Sequence, residues 1–194
     1  ANTSVSKEPP KNQLQGIINL YTQGQYQETL DKGFQLLKEF PRSINLYNII
    51  GVANKSLGKL EEAIQAYTKA ISIKADYAEA YNNMGIALQE QGKLDEALEA
   101  YKKALSIKPD FAEAYNNMGV TLKDQGTLDE ALEAYKKALS IKPTYAEAYN
   151  NIGISLKDQD KPGEAMEAYN KALSIKADYA EAYWNLSGTV EDIS

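Results

Sequence analysis

Residues 78–111 read AEAYNNMGIALQEQGKLDEALEAYKKALSIKPDF, and residues 112–145 read AEAYNNMGVTLKDQGTLDEALEAYKKALSIKPTY. The second stretch is the first repeated with few changes, and the period extends beyond both. Gly51, Gly85, Gly119 and Gly153 stand 34 residues apart, as do Tyr67, Tyr101, Tyr135 and Tyr169. A fixed period of this length marks an array of small supersecondary units, none of which can bury its own core.

Within the block, Tyr81, Met84, Gly85 and Leu88 recur at helical spacing and define one apolar stripe. Gly92 interrupts the pattern and suits a left-handed helix end. Ala97, Leu98, Tyr101, Ala104 and Leu105 form a second stripe, which Pro109 stops. Asp110 is placed to cap the next helix, with Glu113 completing a capping box. Each block is therefore a pair of antiparallel helices, with almost no sequence left for strands.

Working outward, the units are expected at about 10–43, 44–77, 78–111, 112–145 and 146–179, with a partial unit or cap helix over 180–194. Residues 1–10 are polar, end in Pro9-Pro10, and are expected to be a disordered tail or linker preceding an array over 11–194. The first unit departs from the pattern, with Ile17 where later units have Gly and Thr29 where they have Ala. Pro41, Pro109 and Pro143 close their units, but Ala75 and Ala177 occupy the same place. An ordinary turn is expected there. The competing outcome is a fused helix, which would permit units to exchange between chains.

Composition narrows the chemistry. Among 194 residues there is no cysteine and no histidine, and the net charge is −6. Thiol nucleophiles, disulfides and imidazole bases are excluded, no metal site is expected, and no cofactor is called for. An acidic chain without a basic stripe is not expected to bind nucleic acid or a membrane surface. No apolar run approaches the roughly 18 residues of a spanning helix, and no signal peptide is visible. The default expectation is a cytoplasmic protein.

The aromatic at Tyr81, the Met84-Gly85 pair, Leu88, Gly92, Ala97, Tyr101, Ala104 and Pro109, with their counterparts, resemble the tetratricopeptide repeat (TPR) family, in particular bacterial arrays of near-identical units. The resemblance covers residues 11–187 and implies an all-α fold, a right-handed superhelical solenoid of antiparallel helix pairs. It also implies a concave groove lined by the first helix of each pair.

On that face the resemblance aligns Asn82, Asn116, Asn150 and Trp184 in one column, Asn83, Asn117, Asn151 and Asn185 in a second, and Ile86, Val120 and Ile154 in a third. These are the candidate peptide-binding residues. An amide donates and accepts, so a ladder of amides can pair with any extended backbone. The asparagine-lined superhelix of O-GlcNAc transferases looks similar. Glu79, Glu113, Glu147 and Glu181 form a further column, expected to serve capping; an acidic rim preferring a basic peptide is its competing reading. These columns lack the lysine and arginine of the family's carboxylate clamps.

The function expected is therefore a non-catalytic scaffold binding an extended peptide or partner segment in the groove. One alternative is the interaction domain of a larger bacterial sulfo-, glycosyl- or methyltransferase; another is an engineered repeat array. The helix from Ala180 lacks the second helix of a full unit, so self-association through Tyr183 and Leu186 is also expected.

Overall fold

The computed structural model describes residues 8–192. Residues 1–7 of the expected tail lie outside the described residues. Two compact units divide the chain, residues 1–107 and residues 108–194.

The first unit holds α1 (Lys11–Thr22), α2 (Tyr26–Leu37), α3 (Ile44–Ser56), α4 (Leu60–Ile73), α5 (Ala78–Glu90) and α6 (Leu94–Ile107). The second holds α7 (Ala112–Asp124), α8 (Leu128–Ile141), α9 (Ala146–Asp158), α10 (Pro162–Ile175) and α11 (Ala180–Asp192). The described residues contain no strand. This is an all-α repeat fold.

Within each unit the odd-numbered helices neighbour one another, α1 with α3 with α5, and α7 with α9 with α11. The even-numbered helices neighbour only odd ones. The odd helices therefore form the inner layer of each unit.

The period-34 residues explain the close approach inside each pair. A Cβ on Gly85 would lie 2.6 Å from the ring of Tyr101, and one on Gly153 would lie 2.4 Å from Tyr169. Both rings are essentially fully buried. The glycine is thus the socket for the tyrosine across the pair, and any side chain there overpacks the core. Gly92 ends α5 with φ +75°, and Lys93 N–H donates to Leu88 O across it, the left-handed stop the sequence suggested. At the equivalent place in the fifth unit stands Asp160, also left-handed at φ 59°.

Two expectations need correction. The capping box does not form. Tyr77, Phe111 and Tyr145 occupy the N-cap positions of α5, α7 and α9, and none of these caps makes a side-chain bond. Asp110 stands one residue too early to reach the third helical amide, and Glu113 falls one short of the box position. A different contact marks these turns: Lys108 lies over the Phe111 ring at 4.5 Å, and Lys74, Lys142 and Lys176 lie likewise over Tyr77, Tyr145 and Tyr179.

The second correction concerns residues 8–10, expected in the tail. Glu8 accepts from Ser43 Oγ and, at 2.9 Å, from Ile44 N–H at the start of α3, and Pro9 is buried. Those bonds satisfy a helix end that would otherwise need water.

At Ala75 and Ala177 the chain turns, and α4 and α5, like α10 and α11, are separate helices. The fused helix does not form. Lys74 and Lys176 are extended (φ −135° and −129°) just before these alanines, so the turn holds without proline.

Candidate functional site

The two asparagine columns are neighbours in sequence, and the helix sends them to different places. Successive residues differ by about 100° around a helix. Asn116 and Asn150 point into the joints between α7 and α9 and between α9 and α11 and are completely buried; Asn82 is buried too. Asn83, Asn117, Asn151 and Asn185 are half-buried.

Each buried amide is used within the array. Asn116 Nδ2 donates to Glu147 Oε1 at 3.1 Å, while its Oδ1 accepts from Asn151 Nδ2 at 3.0 Å. Glu147 and Asn151 are four residues apart, one turn of α9, so a single side chain of α7 clasps two of the next odd helix. Asn150 does the same to Glu181 (3.2 Å) and Asn185 (3.0 Å) on α11. In the first unit Asn83 Nδ2 donates to Asn48 Oδ1 at 3.0 Å. The amides expected to read a peptide backbone thus form a latch from repeat to repeat. Burying them unpaired would be costly, and the latch removes that cost. It also gives the glutamate column its role: Glu147 and Glu181 receive the latch rather than cap their own helices.

Of the third column, Ile86, Val120 and Ile154 are all half-buried; Ile154 packs on the cluster around Leu132, Leu156 and Tyr169. Trp184 is 79% exposed. It stands where earlier units carry the latching asparagine, on a face of α11 that no other described helix covers.

A groove of about 600 Å³ lies beside α7, α9 and α11. Of the candidate residues, Val120 and Asn151 line it. So do Glu147, Glu181, Lys176 and the rings of Tyr145 and Tyr179, which the sequence-based list of site residues omitted. Burial, then the neighbouring Glu181 and Glu147, push the Tyr179 hydroxyl up to about 12. Burial and then Glu147 and Glu113 raise Tyr145 as well. Both phenols stay protonated at neutral pH and sit in a negative field. The recurrence of an aromatic two residues before each glutamate was the signal available in the sequence.

A second kind of cavity recurs with the repeat on the opposite side of the odd helices. One of about 440 Å³ lies over Tyr81, Met84 and Leu88, and its counterpart of about 380 Å³ lies over Tyr115, Met118 and Leu122. No described helix is long and apolar enough to cross a membrane.

A TPR repeat family model matches residues 51–92, 87–126 and 121–160, and a tetratricopeptide repeat model matches residues 146–179. A search of curated protein sequences returned no match. Among solved structures, MamA is 27% identical with a TM-score of 0.71, the match covering 84% of this chain and 95% of MamA. TTC0263, a thermophilic TPR protein of Thermus thermophilus, is 22% identical with a TM-score of 0.80, covering 93% and 98%. YrrB, described as a TPR protein with an unusual peptide-binding site, is 21% identical with a TM-score of 0.67, covering 92% of each chain. The last two share the fold at identities that carry no more than fold. With the family models spanning residues 51–179, the chain belongs to the tetratricopeptide repeat family.

Proposed function

We propose that this chain is a non-catalytic protein–protein interaction scaffold that takes an extended partner segment along its odd helices. The observation that carries the proposal is the groove of about 600 Å³ at α7, α9 and α11, which combines apolar, aromatic and charged lining. Mixed lining of that kind fixes both affinity and orientation of a ligand. YrrB offers a precedent of the same fold with a peptide-binding site. The latch changes how the groove would work: Asn116 and Asn150 hold the wall together, and Val120, Asn151 and the tyrosines meet the partner. Chemical-shift mapping with peptides selected from an array is the test. Shifts are expected at Val120, Asn151 and Tyr179, and none at the outward Glu133; shifts confined to even helices would overturn the assignment.

A second surface belongs to the same reading. α11 shows Tyr183, Trp184 and Val190 to solvent at 54%, 79% and 41% exposure. At the corresponding places one repeat earlier, Asn150 is buried against the next odd helix and Leu156 packs with Ala165 and Tyr169 of the even one, so the occupant that fits is helical, and a second copy of this chain supplies one. Exchange at Ala75 or Ala177 loses its motive because the chain turns there. Sedimentation equilibrium should show association that Trp184→Glu abolishes, with the emission of Trp184, the sole tryptophan, shifting to the blue. A monomer at every concentration would refute it.

A further inference from the structure

Resting on the groove reading above, we infer that the second unit's groove selects cationic side chains, so that its partner is a lysine- or arginine-bearing extended segment. The amides that would have read a neutral backbone are largely committed within the array: Asn116 and Asn150 are buried, and Asn151 and Asn185 give their Nδ2 groups to them, which leaves Asn151 chiefly its carbonyl for a partner. What the groove keeps for a ligand is the pairing of ring and carboxylate, Tyr145 with Glu147 and Tyr179 with Glu181.

Three observations give this pairing its chemistry. First, the protein already places an ammonium on each ring. Lys142 Nζ is 4.4 Å from the Tyr145 centroid and Lys176 Nζ is 5.0 Å from that of Tyr179, within the distance at which a ring attracts a cation. Second, the carboxylates are unequally served. Glu113 has Lys142 at 3.3 Å. Lys176, one repeat later, makes no such ion pair with Glu147, and neither Glu147 nor Glu181 has a cationic partner among the described residues. Each glutamate accepts a single latch bond, through Oε1, and both are exposed. Third, the tyrosine hydroxyls are raised by burial and then by these same carboxylates, in keeping with a negative field where the ligand would lie. Two carboxylates and one lysine leave the groove net negative. A basic segment would complete the pairing that Lys142 makes with Glu113, entering beside Lys176 and competing with it.

Fluorescence anisotropy with two probes, a Lys-Gly-Ser repeat peptide and its Gln-Gly-Ser counterpart, separates this inference from the reading beneath it. The lysine probe should bind more tightly, and less so as salt is raised. The double variant Glu147→Gln/Glu181→Gln keeps an acceptor for each latch; it should cost the lysine probe about tenfold, roughly two- to fivefold per exposed charge, and leave the glutamine probe unchanged. Tyr179→Leu should narrow the difference between the probes. Lys176→Gln should have the opposite sign, strengthening the lysine probe by about two- to fivefold. Circular dichroism confirms that each variant folds. Equal binding of the two probes would overturn the cationic preference and leave the groove standing. Failure of the lysine probe to bind would also overturn it, the groove then resting on the shift mapping alone.

Discussion

In α1–α2 the large side chain, Ile17, stands on the first helix and a glycine, Gly33, on the second; in α5–α6 the order reverses, and Gly85 faces Tyr101. The positions correspond across two repeat periods. Ile17 is fully buried, and a Cβ on Gly33 would lie 2.9 Å from Ile50 Cγ1 on α3. The place of Gly33 is thus filled from the next repeat, by Ile50, while Ile17 packs with Leu36 and Leu46.

The comparison is open to a direct break. Gly85→Ile should cost about 3 kcal/mol by overpacking against Tyr101, and Tyr101→Gly about 4 kcal/mol by opening a cavity. Combined, they let the new side chain occupy the space the ring leaves, so the double variant should lose clearly less than the sum in urea titration. Simple additivity would show that the two substitutions act at separate places in the core.

A second prediction sharpens the contrast between buried and half-buried asparagines. Asn116→Ala removes a buried clasp and strands both Glu147 and Asn151, costing about 1–3 kcal/mol. Asn48→Ala, at the same place in an earlier, more open repeat, should cost about 1 kcal/mol. Equal losses in thermal unfolding would deny the latch its place in the core.

These residues also show where sequence reasoning stopped. The 34-residue recurrence of Gly85 and of Tyr101 was legible, but not that the glycine is the socket for the ring, which takes the crossing of the two helices to see. The left-handed Gly92 and the turns at Ala75 and Ala177 were legible because adjoining residues set each of them. The latch was not, because its donor and acceptors lie in different repeats, and adjacent asparagines look alike until helix phase is known to within a residue. The capping box failed on the same one-residue margin. The exchange of large and small residues at Ile17 and Gly33 was present in the sequence, but the filling of Gly33 by Ile50 of the next repeat was not.

Ala75→Pro tests the turns with a smaller effect. Lys74 is already extended, as the residue before proline must be, and Pro109 and Pro143 occupy the same place. Stabilisation by about 0.4–1 kcal/mol is expected. A lower thermal midpoint would mean that this turn differs from those at its proline-bearing counterparts.

The least effect belongs to the tyrosine sockets at high pH. Burial pushes the Tyr169 hydroxyl up to about 12, with the nearby Thr189 hydroxyl opposing and Asp158 adding to the rise. A raised folded value means that the native state holds the proton more tightly. The associated stability is fully present below pH about 10, where the unfolded phenol titrates, and is lost as pH climbs through 12. The thermal midpoint of Tyr169→Phe should therefore approach that of the parent between those values. Tyr67, whose buried hydroxyl has no partner and which packs with Ala87, should accept phenylalanine without loss at neutral pH. A parallel pH course for parent and Tyr169→Phe would contradict the assignment.

The asparagine latch carries a consequence for how such a chain can lengthen. Its donor sits in one repeat and its acceptors 31 and 35 residues later, as in Asn116 with Glu147 and Asn151. A duplication of one whole period reproduces donor and acceptors in matching register wherever it falls. A duplication of any other length would bury an amide against the wrong side chain. The joint thus accepts growth in whole repeats and penalises every other increment, which allows sequences as alike as 78–111 and 112–145 to follow one another without pairing out of step.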